Sequence, residues 1–311
     1  ALPIWPITAE AASAISQTDA AAPRRTYRNQ GCSVMLAGVS RMQSEQHYGL
    51  ALVLGGGEVT MQELATMYAV LANGGKLRRI RYVKNQPSES KDSVKANSDI
   101  PLLSPEAAYI TLDMLRQTPR PDTASPAMPA VAWKTGTSWG FRDAWTAGVF
   151  GRYVLVVWAG HFDGTSNPAL IGVEAAAPLF LRIVDALRAE RLQAAAEDKP
   201  LPANLRKIEV CAATGGLPDG LCPVLAQSWF IAGRSPITNS QLHRKVWIDS
   251  RTGKIVCPDS ELAKEKLREL VVEDWGTDMQ KLFSQAGLGR RSGQQTNQQA
   301  GCGDSAQEGL N

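Results

Sequence analysis

Apolar positions along the first 46 residues are scattered, and neither a helical nor a strand period persists there, so 1–46 reads as an irregular leader. The pattern sharpens at Tyr48. Leu50-Ala51-Leu52-Val53-Leu54 is a short apolar run closed by Gly55-Gly56-Gly57. Leu64, Met67, Tyr68 and Leu71 then recur at helical spacing and predict a helix over 61–73. Thr60 followed three residues later by Glu63 has the form of a capping box. Asn73-Gly74-Gly75 supplies the left-handed stop. Residues 84–99 are polar, rich in Ser and Lys, and predict a solvated loop. A second helix opens at Ser104-Pro105-Glu106, a cap with proline in the first turn, and runs to about Gln117.

After Pro119, Pro121, Pro126 and Pro129 the period changes to that of strands, at 130–137, 144–150 and 153–160. Gly151-Arg152 is a two-residue hairpin loop between the last two. The run from Tyr153 to Trp158 is apolar on both faces, which predicts a central strand. Residues 173–191 form a long helix with an apolar stripe at Ala176, Leu179, Phe180, Ile183, Val184 and Leu187. Helices, hairpin-linked strands and a closing helix predict an α+β fold, an antiparallel sheet covered by helices. At Lys199-Pro200-Leu201-Pro202 the texture changes. Residues 199–288 read as a smaller, irregular β-rich module bearing cysteines, with a strand at 245–249 and a charged helix at 260–272. Gly, Gln, Ser and Asn dominate 289–311, a linker-like tail. The expected organisation is a leader over 1–46, a main domain over 47–198, a connector over 199–288, and the tail.

Composition narrows the function. The 311 residues carry 33 Lys+Arg against 30 Asp+Glu, a net charge of +3, which gives no electrostatic case for nucleic acid. No apolar run reaches the roughly 18–20 residues of a membrane helix; the best, 144–160, is broken by Arg152. The chain starts at Ala1 with no basic segment before an apolar core, so a processed chain or an internal fragment is expected. With three histidines, no metal site is expected, and no cofactor.

The segment with the clearest chemistry is Val131-Ala132-Trp133-Lys134-Thr135-Gly136-Thr137-Ser138. A Lys-Thr-Gly followed by a further hydroxyl, at the end of an apolar strand, places a cation beside a reacting group and two hydroxyls where they can hold a carboxylate. Gly136 lets a ligand lie close against the backbone. Lys134, Thr135, Gly136 and Thr137 are therefore the candidate substrate-binding residues. A lysine at a strand end is by itself a common surface feature; the surroundings give this one its meaning.

Those surroundings are specific in combination. Leu54-Gly55-Gly56-Gly57-Glu58 precedes the 61–73 helix. Lys134-Thr135-Gly136-Thr137 runs on through Ser138-Trp139-Gly140-Phe141-Arg142-Asp143-Ala144-Trp145. Trp158-Ala159-Gly160-His161-Phe162-Asp163-Gly164-Thr165 follows, then Gly220-Leu221-Cys222-Pro223, Trp229-Phe230-Ile231-Ala232-Gly233-Arg234-Ser235-Pro236 and Leu282-Phe283-Ser284-Gln285-Ala286-Gly287-Leu288. Over about 48–288 this resembles the bifunctional class A penicillin-binding proteins of the 1C type. The resemblance implies the second half of a penicillin-recognising transpeptidase domain, followed by that family's connector. It implies acyl transfer between peptidoglycan stem peptides ending in D-Ala-D-Ala, β-lactams as ligands, a glycosyltransferase in the parent, and a place on the periplasmic side of the inner membrane through an N-terminal anchor.

The chain departs from the family's pattern. Ser-x-x-Lys, which supplies the nucleophile and its base one helical turn apart, occurs once, at Ser88-Glu89-Ser90-Lys91, in a polar loop and after the point where it belongs. Ser-x-Asn is absent. No catalytic residue is assigned, and the chain alone is expected to be inactive. Residues 1–46 do not resemble the family, so a reading frame lost upstream of about residue 47, or an internal fragment, is expected. Two functions of other kinds stay open: a non-catalytic peptidoglycan- or partner-binding module, and an unstable remnant. The exported setting implied by the resemblance makes disulfides Cys211–Cys222 and Cys257–Cys302 the expected arrangement, with Cys32 free. Unpaired thiols or a zinc site remain open, the latter weakened by the lack of Cys-x-x-Cys and by His243 being the one histidine nearby. His161 reads as a loop histidine, Arg142-Asp143 as a local ion pair or turn fastener, and the basic run Arg78-Arg79-Ile80-Arg81 as a solvated segment. Trp133, Trp139 and Trp145 fit either a peptide groove or the core.

Overall fold

The computed structural model describes residues 47, 57–78, 80–82, 99–121, 131–190, 200–253, 255–256 and 266–287. The readings made on 1–46, on the 50–56 run, on most of the 84–99 loop and on the 289–311 tail lie outside them. The chain divides into two compact units, 1–205 with 231–235, and 206–230 with 236–311.

In the first unit, α1 (Met61–Ala72) begins as its capping box requires. Glu63 N donates to Thr60 Oγ1 at 3.2 Å, and Thr60 N donates back to Glu63 Oε2 at 2.8 Å. Two donors that a helix start leaves unmet are thereby satisfied. The short β1 (Lys76–Leu77) pairs antiparallel with β2 (Ile100–Pro101). Gly75 between α1 and β1 has φ +86°, and a Cβ there would lie 2.1 Å from Leu103 O. Only glycine fits that turn. Helix α2 (Pro105–Arg116) is capped by Ser104, whose hydroxyl accepts from Ala107 N at 3.1 Å.

Strands β3 (Ala132–Thr137), β4 (Asp143–Phe150) and β5 (Tyr153–Gly160) form an antiparallel sheet in the order β3-β4-β5. Gly151, at φ +53°, makes the β4–β5 hairpin. Helix α3 (Ala177–Glu190) follows a wide helical turn, Gly172–Ala176. Side-chain alternation along the strands divides the apolar residues between two layers. Val131, Trp133, Ala144, Phe150 and Val157 pack with Ala176, Phe180, Leu181 and Val184 of the α3 segment. Ala132, Val149 and Val154 pack on the other face with Leu112 and Leu115 of α2 and with Tyr68 and Leu71 of α1. The sheet is thus sandwiched between helices, and the mixed α/β fold with an antiparallel sheet is as expected.

Three details differ from the sequence reading. Among the described residues β4 holds the middle of the sheet, and the 153–160 strand, expected to be central, pairs there with β4 alone. Its apolar residues face helical layers above and below, which is why both faces of the strand are apolar. Leu179 is 52% exposed and lies off the apolar stripe. The wide turn before α3 shifts the phase, and Ala177 and Leu181 take its place in the core. The third concerns 260–272. Leu267–Glu273 is a strand, not helix, because the segment, with its β-branched end Val271-Val272, pairs along the full length of the strand His243–Asp249.

The second unit holds β6 (Leu205–Cys211) and β7 (Leu225–Ile231), all but their end residues Leu205 and Ile231, paired as a two-stranded sheet. It also holds a three-stranded sheet with β8 (His243–Asp249) between β10 (Leu267–Glu273) and β9 (Ile255–Val256). Helix α4 (Thr277–Gln285) follows.

Candidate functional site

Strand β3 carries the four candidate residues along an edge of the described sheet. Trp133 anchors it: the side chain is 2% exposed, stacks on Phe180 with ring centroids 6.1 Å apart, and donates from Nε1 to Thr118 O at 3.2 Å. By the period of two, Thr135 and Thr137 share the α3 face with Trp133, while Lys134 and Gly136 share the opposite face with Ala132. The two threonines are roughly 7 Å apart, about two strand residues. Gly172 N donates to Thr137 Oγ1 at 2.9 Å, which leaves the hydroxyl proton free to point elsewhere.

Lys134 is half-buried. Its Nζ donates to Thr135 O at 2.9 Å, and burial pushes its ammonium below the ordinary lysine value. Among the described residues no carboxylate pairs with it. A partly desolvated cation with one neutral acceptor can attract an anion.

Two glycines at the site have opposite surroundings. A Cβ on Gly136 would meet only Trp145 Cβ, at 3.7 Å, an ordinary contact. A Cβ on Gly172 would lie 2.4 Å from Gly136 O and 3.0 Å from Trp145 O. Gly172 is therefore required by the fold, whereas the position of a Cβ on Gly136 is not crowded by any described residue.

Aromatic rings continue from that position. Trp145 lies opposite Gly136 in the β3–β4 ladder and opposite Trp158 in the β4–β5 ladder. Trp145 and Trp158 have centroids 6.3 Å apart, and Trp158 and Phe162 5.4 Å. Trp139 is 95% exposed and Phe162 fully so. The turn from Ser138 to Asp143 is fastened at both ends. Ser138 N donates to Asp143 O at 2.9 Å, and Asp143 N donates to Ser138 Oγ at 2.8 Å. Within it Phe141 has φ +55°, a strained value for a side chain with a Cβ. The Asp143 carboxylate accepts from Trp158 Nε1 at 2.9 Å, so Asp143 fastens strand to turn. Trp133 is core, Trp139 is surface, and Trp145 is half-buried between them. His161 lies exposed in the loop after β5. Arg78 pairs with Asp99 at 3.0 Å on the surface.

Sequence reasoning missed Gly172 and Trp158. Trp158 was within reach: the hairpin at Gly151-Arg152, counted outward, puts it against Trp145. Gly172 carries no local signal, since its partner Gly136 is 36 residues away. Ser88 and Lys91 lie outside the described residues.

In the second unit Cys211 and Cys222 are joined, with Sγ atoms 2.07 Å apart and a sequence separation of 11. Cys32, Cys257 and Cys302 lie outside the described residues.

Comparison with known proteins bears on this arrangement. Residues 38–173 match the family described as penicillin binding protein transpeptidase domain, and 201–245 match penicillin-binding protein 1A, C-terminal domain. Penicillin-binding protein 1C of Escherichia coli (strain K12) is 31% identical over 242 residues, 73% of this chain and 30% of that protein. Penicillin-binding protein 1A of Clostridium perfringens is 27% identical over 200 residues, 60% of this chain and 24% of that protein. Penicillin-binding protein 1A from Haemophilus influenzae, a crystal structure at 2.6 Å resolution, is similar at 20% identity with a TM-score of 0.46, covering 61% of this chain and 34% of that one. The chain thus spans less than a third of the curated relatives it matches. With the transpeptidase family matched across the Lys134-Thr135-Gly136-Thr137 strand and the C-terminal family matched behind it, the chain belongs to the class A penicillin-binding proteins, 1C type.

Proposed function

We propose that β3 is the carboxylate-recognising edge of a D,D-transpeptidase that cross-links peptidoglycan, and that this chain by itself binds without acylating. In the reaction of the parent, a serine attacks the D-Ala-D-Ala carbonyl, D-Ala leaves, and an amine of a second stem peptide takes the acyl group; a β-lactam enters as a mimic of the first peptide. The residues present here serve recognition. An extended peptide laid against the β3 edge uses main-chain hydrogen bonds for affinity. Thr135 and Thr137 donate hydroxyl protons to its terminal carboxylate, and the Lys134 ammonium offsets the negative charge. The stem peptide and β-lactams are thus the ligands, the periplasmic face of the inner membrane is the setting, and no cofactor takes part.

One observation carries this reading: the half-buried Lys134 without a carboxylate partner among the described residues, beside a Gly136 whose missing Cβ no packing requires. The absence of acylation rests on the sequence, which has no Ser-x-Asn and one displaced Ser-x-x-Lys. The test is a fluorescent penicillin followed by denaturing electrophoresis, alongside titration with an acyl-D-Ala-D-Ala peptide. The expected result is no label surviving denaturation, with peptide binding that Thr135→Val abolishes. A covalent label would overturn the inactive reading, and peptide binding indifferent to Thr135→Val would overturn the site.

A further inference from the structure

The second unit contains a cluster that the transpeptidase reading does not use. Cys211 is fully buried, Cys222 half-buried, and His243 is 5% exposed. His243 opens β8, and its Nδ1 lies 3.8 Å from Cys211 Sγ. The two sulfurs and a histidine nitrogen all lie within 4.8 Å of one another. Two loops bring them together. The turn after β6 is closed by Cys211 N donating to Gly216 O at 2.8 Å, and Asp219 Oδ1 accepts from Cys222 N at 3.1 Å, which fixes the second cysteine. The segment before β8 is held to that turn by Leu217 N donating to Thr238 O and Ser240 N donating to Leu217 O, each at 2.8 Å.

We infer that this cluster is a redox-gated zinc site: a disulfide staple when oxidised, and a Cys211–Cys222–His243 ligand set when reduced. Zn–S bonds of about 2.3 Å and Zn–N bonds of about 2.0 Å place the ligand atoms of a tetrahedral site roughly 3.5–3.8 Å apart. The Cys211 Sγ to His243 Nδ1 separation already has that value. Only the two sulfurs, bonded to each other in the disulfide, must part to admit the metal. A second observation lies in the adjoining segment. The hydroxyl of Ser240, three residues before His243, is buried and has no hydrogen-bond partner among the described residues. Ser240 adjoins the cysteine turn, since a Cβ on Gly216 would lie 3.0 Å from Ser240 N while Gly216 O is bonded to Cys211 N. A buried hydroxyl left unpaired is costly, and a metal-bound water or the metal itself would satisfy it.

The chemistry balances with a dithiol as reductant. The dithiol gives two electrons and two protons, the S–S bond breaks, and the dithiol closes to its own disulfide. Zn²⁺ then displaces both thiol protons to solvent and binds two thiolates and a neutral imidazole. Reoxidation by a small-molecule disulfide, which takes up the two electrons and leaves as two thiolates, re-forms the Cys211–Cys222 bond and expels the metal.

The test uses the full chain with Cys32, Cys257 and Cys302 each replaced by Ser. It is reduced with a dithiol, freed of reductant without air, and given Zn²⁺ or Co²⁺. Native mass spectrometry should find one zinc per reduced chain and none on the oxidised chain, and Co²⁺ should give the intense visible absorption of a tetrahedral thiolate site. His243→Gln should weaken binding by about tenfold or more, and Ser240→Cys should tighten it. The circular dichroism spectrum establishes that each variant is folded. If a His243 variant does not fold, the Co²⁺ spectrum of the parent decides. Absence of metal uptake by the reduced chain, uptake unchanged in a folded His243→Gln, or a pale octahedral Co²⁺ spectrum overturns the proposal.

Discussion

Gly136 and Gly172 face each other at the site, and substituting each with alanine separates a glycine kept for a ligand from one kept for the fold. At Gly172 the new methyl would start 2.4 Å from Gly136 O, at least 0.6 Å inside the 3.0 Å that real Cβ contacts respect. The obstacle is backbone, so β3 must move. Overpacking of this kind costs about 1–3 kcal/mol. The shift also strains the 2.9 Å bond from Gly172 N to Thr137 Oγ1, worth about 1 kcal/mol. Gly172→Ala should therefore lose about 3 kcal/mol, or about 6–12 °C in Tm for a unit of this size. At Gly136 the methyl meets one carbon at 3.7 Å, and the backbone is not left-handed. Replacing a strand glycine there should leave stability unchanged or raise it by about 0.5 kcal/mol. The same methyl projects where an extended ligand would lie, so Gly136→Ala should lose binding of acyl-D-Ala-D-Ala. Urea unfolding followed by tryptophan fluorescence gives the first quantity, and calorimetric titration the second. The reasoning fails if Gly136→Ala destabilises as much as Gly172→Ala, or if it binds peptide as well as the parent.

Three further outcomes are expected. Phe180→Ala empties the fully buried position beneath Trp133 and should cost about 3–5 kcal/mol in urea unfolding. Asp185 holds Arg120 through two bonds of 2.8 and 3.2 Å and counteracts the burial that pushes the Arg188 guanidinium down; Asp185→Asn leaves two guanidiniums facing each other and should cost about 2 kcal/mol, discounted for the part-exposed carboxylate. Burial lowers Lys134 below 10.5, so the unfolded chain binds the extra proton and stability rises with pH between the lowered value and 10.5, whereas burial raises Tyr68 from 10.0 to about 12, so stability falls from pH 10 towards 12. Lys134→Met in a Tyr68→Phe background should abolish the rise and add about 1 kcal/mol at neutral pH, as removal of a functional strain commonly does; chemical unfolding across the alkaline range measures both.

Much of the first unit was legible because its signals are local. Thr60 and Glu63, and Ser104 with Pro105, define helix starts within a single turn. Gly151-Arg152 sets a hairpin whose register then follows by counting. The Lys134 strand was legible for the same reason, its apolar-to-polar run lying in consecutive residues. What escaped was set by distant partners. Gly172 takes its role from Gly136, Leu179 lost its place to a wide turn that no composition announces, and Val271-Val272 became strand because β8 lies alongside. His243 joins the cysteine pair across 32 residues, a meeting that spacing alone does not reveal.

Strand β3 ends the described sheet with main-chain groups turned outward, and such an edge is a template for any extended chain, including a second copy of itself. Charge discriminates between the two. A copy of β3 would bring another Lys134 towards a cation already short of solvent, and that approach is repulsive. A peptide ending in a carboxylate brings the opposite sign. The lysine proposed to recognise substrate would thereby also protect the open edge against self-assembly, and Lys134→Met, for all its added stability, should expose the chain to aggregation.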